Sequence, residues 1–259
     1  MGHVRLGRLP ATRKWQQVVA LLSRDAGTED IAAASAEAAE VSLEHARQDP
    51  ALRQSFWLLT QIPLAARSPD YPESLRSLGV GVRDTPSLLE TIGAFSAAVD
   101  RHVDSSGTRT DLGELAQHTA AESLAAMAGS DLPSLFGPTP EDARLALGKL
   151  AAPDRFAKLA RDFFARLTQR HLDYYLSRAL SNYVGPGHSI GSIDGHTAFN
   201  AALEQHCREA ARIVEAFAGG WYSKTNFEGG VTPEKARAFI FVALRKIGQE
   251  LRKRRGDRG

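Results

Sequence analysis

Apolar residues recur along this chain at intervals of three and four. Trp15, Val18, Val19 and Leu22 form one stripe, and Phe156, Leu159, Phe163 and Leu167 a second, within a breaker-free run from about 154 to 183. Phe199, Leu203, His206, Ala210, Ile213 and Phe217 form a third. This is the period of an α-helix with one buried face. No convincing alternating pattern and no Asn-Gly or Asp-Gly hairpin turn occurs. The run from Phe239 to Leu244 resembles a strand locally. It stands between a helix-start signal and a basic helical tail, and so reads as a helix buried on most sides. The pattern predicts an all-α multi-helix bundle of roughly nine or ten helices, with one long helix near 154–183.

Punctuation supports the same reading. Asp49-Pro50, Thr85-Pro86, Thr139-Pro140 and Thr232-Pro233 each place a capping oxygen before a proline. The oxygen satisfies an orphan N–H of the first turn, and proline at the first helical position has no N–H to strand. Ala152-Pro153-Asp154 repeats the signal more weakly, and Pro63 is expected to kink or end the third helix. The Pro/Gly-rich stretch 128–142 suggests a seam between an N-terminal bundle over 1–130 and a C-terminal one over 140–259, or a loop inside one continuous domain.

The stretch from Gly219 to Gly230, GGWYSKTNFEGG, breaks the simple picture. Gly219-Gly220 follows the third stripe where a helix C-cap wants a left-handed residue, and Thr232-Pro233 starts the next helix. The segment therefore reads as a loop of about a dozen residues, longer than usual in a bundle. Three aromatics there have two readings. They either fold back to plug the seam between the flanking helices, or Trp221, Tyr222, Lys224 and Phe227 form a recognition surface.

Charge changes the picture further. The 259 residues carry a net charge of +2. Residues 1–24 hold +5 and residues 235–259 hold +7, which leaves −10 for the middle. In the last helix Ala236, Ile240, Ala243, Ile247 and Leu251 can face inward while Arg245, Lys246, Arg252, Lys253, Arg254 and Arg255 project outward. Such a face suits phosphates or an acidic protein surface. Nucleic acid is thus one partner class and protein another.

Candidate chemistry is thin. Glu114, His118 and Glu122 share a helix face at four-residue spacing, but the Glu-x-x-His pattern of metal-binding bundles is missing, and surface pairing is the expectation. Asp194, His196, Glu204, His206 and Cys207, with His188 upstream, gather acids, imidazoles and the only thiol. One cysteine and a ten-residue gap between His196 and His206 fit no zinc pattern, and Asp194 reads as a helix N-cap. Cys207 reads as a small buried hydrophobe, since His206 points about 100° away around the helix. GPGHSIGS at 185–192 lacks the lysine and the preceding strand of a phosphate loop. No catalytic, metal or cofactor site is expected from these patterns.

A single cysteine excludes an intrachain disulfide and suits a reducing compartment. The basic N-terminus has no signal-peptide core, Leu6 stands where myristoylation wants Ser or Thr, and no apolar run is long enough to span a bilayer. A cytoplasmic protein is expected, and the Ala/Arg-rich usage resembles that of high-GC bacteria. The expected function is that of a non-enzymatic helical adaptor or structural subunit of a larger bacterial assembly, using the 219–230 segment and the basic C-terminal helix. The alternatives are a nucleic-acid-binding protein using its basic termini, and a helical enzyme with a site around His118 or 188–207.

Overall fold

Helix-start chemistry sets most of the architecture seen in the computed structural model. It describes residues 3–4, 13–24, 26–39, 48–106, 109–133, 137–180 and 193–256. The helices are α1 (Arg13–Ser23), α2 (Thr28–Ala38), α3 (Pro50–Ala65), α4 (Tyr71–Ser77), α5 (Leu88–Ser106) and α6 (Asp111–Gly129). They continue with α7 (Pro140–Lys149), α8 (Pro153–Leu180), α9 (Ile193–Ala210), α10 (Arg212–Phe227) and α11 (Pro233–Gly256). Ten of these have ten or more residues and α4 has seven, so the fold is all-α. Among the described residues the one departure is a two-residue parallel pairing of β1 (His3–Val4) with β2 (Arg109–Thr110).

Asp49 caps α3 by accepting from the Leu52 N–H at 2.9 Å, and Thr139 forms a reciprocal capping box with Asp142 on α7. Thr232 accepts from the Lys235 N–H at 3.3 Å at the start of α11. Thr85-Pro86 behaves differently from its sequence signal. α5 begins at Leu88, because Ser87 and Glu90 cap each other's backbone N–H groups two residues on. A Ser-x-x-Glu box satisfies two donors where Thr-Pro satisfies one, and it wins. α3 runs through Pro63 and ends soon after it at Ala65.

α3 and α8 form the centre. Phe56 of α3 stacks on Phe163 and Phe239 at 5.9 and 5.1 Å, and touches Phe156, Phe164 and Trp221. α8 packs against α6, α9 and α10, while α2 rests on α1, α9 and α11. The pairs α3–α11 and α6–α8 join helices from both sides of the 128–142 stretch, and one apolar cluster runs through all of them. The N-terminal hairpin α1–α2 thereby lies against the C-terminal helix.

Between α9 and α10 the chain makes a local adjustment at Ala211, whose carbonyl accepts from Val214 three residues later rather than four. That tighter turn advances the phase of the stripe. Phe199, Leu203, His206 and Ala210 are buried as their spacing predicts, but Ile213 and Phe217 drift to half-burial and Val214 and Ala218 take the inward positions.

Candidate functional site

The segment expected to be a loop is helical. α10 continues through Gly219-Gly220 to Phe227 and ends only at the second glycine pair, where Gly229 and Gly230 have φ of +95° and +94°. There the Gly230 N–H donates to the Thr225 carbonyl at 3.0 Å, the six-to-one bond of a left-handed helix end. Val214, Ala218, Tyr222 and Thr225 are buried at helical spacing, and this stripe running across the glycines was the signal that the turn reading overlooked.

Gly219 serves a different purpose. A Cβ there would lie 2.7 Å from the Pro153 carbonyl oxygen, so glycine lets α10 cross the first turn of α8 at close range. Tyr222 (1% exposed) then stacks on Phe156 with ring centroids 3.8 Å apart, and its hydroxyl donates to the Thr60 carbonyl at 2.8 Å. Burial drives its phenol far above the usual tyrosine range. Trp221 is half-buried against Phe239 at 4.3 Å. Both aromatics thus face the interior.

The other two residues of the segment face solvent. Phe227 is 93% exposed at the last turn of α10, and Lys224, one turn earlier, is exposed beside Glu228 at 3.8 Å. The corner that carries them is held from behind. Trp57 Nε1 and Gln61 Nε2 both donate to the Val231 carbonyl, at 2.9 and 3.2 Å, and Lys235 Nζ donates to the Gly230 carbonyl at 3.0 Å.

On α11 the five inward residues of the sequence reading are all buried. Arg245 and Lys253 are exposed, while Lys246 and Arg252 are half-exposed. Arg245 sits 5.5 Å over the Phe241 ring and Lys246 sits 5.8 Å over Phe217 of α10. Lys253 pairs with Glu250 at 3.0 Å. The side chains of Arg254 and Arg255 lie outside the described residues. Arg237, which the sequence reading left out, is exposed one helical repeat before Phe241 and Arg245 on the same face. The i, i+4, i+8 spacing of these three residues was the available signal.

The arginines of α8 differ from those of α11. Arg155, Arg161, Arg166 and Arg170 are bound to Asp131, Glu215, Asp162 and Glu122 respectively. Among the described residues, Arg237, Arg245 and Lys246 have no carboxylate within 4 Å, although Glu234, one turn before Arg237, feels its charge. Exposed cations without a carboxylate within 4 Å also occur elsewhere among the described residues, at Arg13, Arg24, Arg101 and Lys158, so what sets the α10–α11 side apart is that its cations lie beside aromatic rings.

Among the described residues, the remaining candidates are not brought together. Glu114, His118 and Glu122 are exposed on α6, with Glu122 taken by Arg170 at 2.7 Å. Burial, with Glu204 nearby, pushes the Cys207 thiol up to about 12, which removes the thiolate a nucleophile needs. Burial also lowers His171 on α8 to about 4, leaving it neutral at physiological pH. His188 and the 185–192 stretch lie outside the described residues, as do the side chains of Asp194 and His196. Among the described residues no group of three His, Cys, Asp or Glu is placed to hold a metal ion. No described helix is long and apolar enough to cross a membrane.

A second surface feature is built from other helices. Pro69, Tyr71, Pro72, Pro86 and Pro140 line an open groove of about 410 Å³ between α4, the start of α5 and α7, with Thr85 on its wall. Leu89 and Leu145, at 79% and 50% exposure, follow groove residues closely in sequence. Together with Phe227 they are the large exposed hydrophobics among the described residues.

The described residues form an all-α fold whose α10–α11 side carries Phe227 and Lys224 at one end and Arg245 and Lys246 over aromatic rings farther along. Compared with known proteins, the chain matches no family model, no curated protein and no solved structure.

Proposed function

We propose that the protein is a non-enzymatic helical adaptor, a subunit that docks an acidic protein partner on its α10–α11 corner. The observation that carries this reading is Phe227. A phenyl ring 93% exposed on a helix end fixed by three hydrogen bonds to the turn behind it stands in water at a cost. Burying such a ring yields roughly 1.5–3 kcal/mol. Lys224 beside it and Arg237 in the first turns of the adjoining helix supply charge near that anchor, and Arg245 and Lys246 extend it along α11, Lys246 lying over Phe217 about 15 Å up α10 from Phe227.

The test compares wild type with Phe227→Ser in affinity capture from the native host at low salt, with and without nuclease. Defined protein partners that survive nuclease and disappear with Phe227→Ser, at unchanged melting temperature, support the adaptor. Partners that the variant retains refute the assigned corner. Contacts that vanish with nuclease point to the second reading, nucleic-acid binding. The cations without ion pairs around Phe241 favour that alternative. It requires log K to fall by about 0.9 for each duplex phosphate neutralised as log salt rises.

A further inference from the structure

From the two surface features taken together, we infer that this chain self-associates head to tail, Phe227 of one copy seating in the proline-walled groove of the next. The inference rests on the reading of the α10–α11 corner as a contact surface and names a second copy as its occupant. Size is the first argument. The groove of about 410 Å³ is open to solvent and large enough for a phenyl ring. Pyrrolidine rings and the Tyr71 ring make up half of its lining and offer apolar faces to an aromatic side chain, while Asp84, Thr85, Thr139, Glu141 and Arg144 make up the polar half.

Charge is the second argument. Residues 69–90 and 139–144, which build the groove and its surroundings, contain six acids against three arginines. The arginines are engaged. Arg76 pairs with Asp84 and Glu73, Arg83 with Glu90, and Arg144 with Glu141. Asp84 and Glu141 remain largely exposed on the groove rim, with 91% and 59% of their side chains accessible. The incoming corner brings Lys224 and Arg237, which meet that acidic rim. This is a local form of the charge asymmetry along the chain, an acidic middle and a basic C-terminal end.

Rigidity is the third. Tyr71 is held by a hydrogen bond between its hydroxyl and that of Thr91 at 3.3 Å, and Arg144 donates to the Ala66 carbonyl at 3.0 Å. The groove is therefore pre-formed, as is the Phe227 corner. In the head-to-tail arrangement each copy keeps one free knob or groove at each end, so the contact propagates into open or ring-shaped oligomers, whereas a reciprocal exchange of knobs would stop at a two-fold dimer and overturn it. A single aromatic anchor makes the association weak and concentration-dependent.

The test is sedimentation velocity and light scattering from about 1 μM to about 1 mM, the range in which weak contacts populate. Wild type should pass from monomer to a ladder of species. Phe227→Ser removes the knob, and Thr85→Trp fills the groove from an exposed wall position. Each variant alone should stay monomeric with the wild-type melting temperature. Mixed together, they retain one good knob and one good groove, and should form a one-to-one dimer that grows no further. A wild type that remains monomeric throughout overturns the inference, as does a ladder untouched by either variant or a mixture that fails to pair. Thr85→Trp also separates this inference from the adaptor reading. Partner capture that survives Thr85→Trp while self-association is lost shows two independent uses of the corner. Absent self-association with capture intact sinks only the inference made here.

Discussion

The two glycines at 219 and 220 should respond oppositely to alanine, and the difference follows from the crossing of α10 and α8. In the Gly219→Ala protein the new methyl would stand 2.7 Å from the Pro153 oxygen and 3.2 Å from its carbonyl carbon. Both are backbone atoms of a helix's first residue and cannot swing aside, so α10 must retreat. The retreat loosens the Phe156–Tyr222 stack at 3.8 Å and the Tyr222–Thr60 hydrogen bond. Overpacking of this kind costs about 1–3 kcal/mol, against a gain of about 0.5–1 kcal/mol from replacing glycine inside a helix. The net is a loss of up to about 2.5 kcal/mol. Gly220 has no atom within 4 Å of an added Cβ, so Gly220→Ala keeps only the helical gain. In a chain of this size about 1 kcal/mol moves the melting temperature by roughly 2–4 °C. Thermal unfolding followed by circular dichroism should therefore show Gly219→Ala lowered by up to about 10 °C and Gly220→Ala raised by about 1–4 °C. Two variants that both gain stability would refute the close crossing. Two that both lose it would restore the turn that the sequence suggested at this point, since a left-handed glycine resists alanine whatever the space around it.

Asp49 is buried, and desolvation raises its pKa above the ordinary 3.8 despite hydrogen bonds from Thr110, Leu52 and Ala51. Its protonated form is favoured by folding, so its contribution is present at acid pH and is lost as pH rises through the raised value. Asp49→Asn should match wild type near pH 4 and gain on it toward neutrality, read as urea midpoints across a pH series. A wild type that pulls ahead of Asp49→Asn as pH rises contradicts the assignment. Cys207, with its thiol at about 12 and fully buried, should take up no aromatic disulfide reagent in the native state and one equivalent after unfolding. Rapid native labelling would show that α9 opens far more readily than its packing implies.

How much of this was legible in the sequence depends on which force decides each feature. Caps act over three residues, and Asp49, Thr139 and Thr232 sit where their side chains require. The inward face of α11 is likewise a local pattern, and all five of its residues are buried as read. Gly219 escaped because its role is set by Pro153, a partner 66 positions away that no window along the chain contains. Ser87 was passed over because two capping signals overlapped, and only the count of satisfied donors decides between them. The groove could not be read at all. Pro86 and Pro140 look like two unrelated helix starts, and Pro69 carries no signal, until α4, α5 and α7 bring them to one wall.

The aromatic segment that seemed to demand a choice between plug and contact surface divides by helical phase. Tyr222 and Phe227 are five residues apart, which turns the second side chain about 140° from the first around the axis. When Tyr222 stacks on Phe156, Phe227 must leave the core. The interior contacts then act on the exterior one: the Tyr222 hydrogen bond to Thr60 and the glycine-permitted crossing at Pro153 fix the rotation of α10. Trp57, Gln61 and Lys235 fix the turn beyond it. A ring presented this way loses little further freedom on binding, and that saving is often what separates a useful small contact from an undetectable one. Loosening the inside should therefore weaken the outside. Gly219→Ala is expected to reduce association through Phe227 even under conditions where the protein remains fully folded, although residue 219 itself touches no partner.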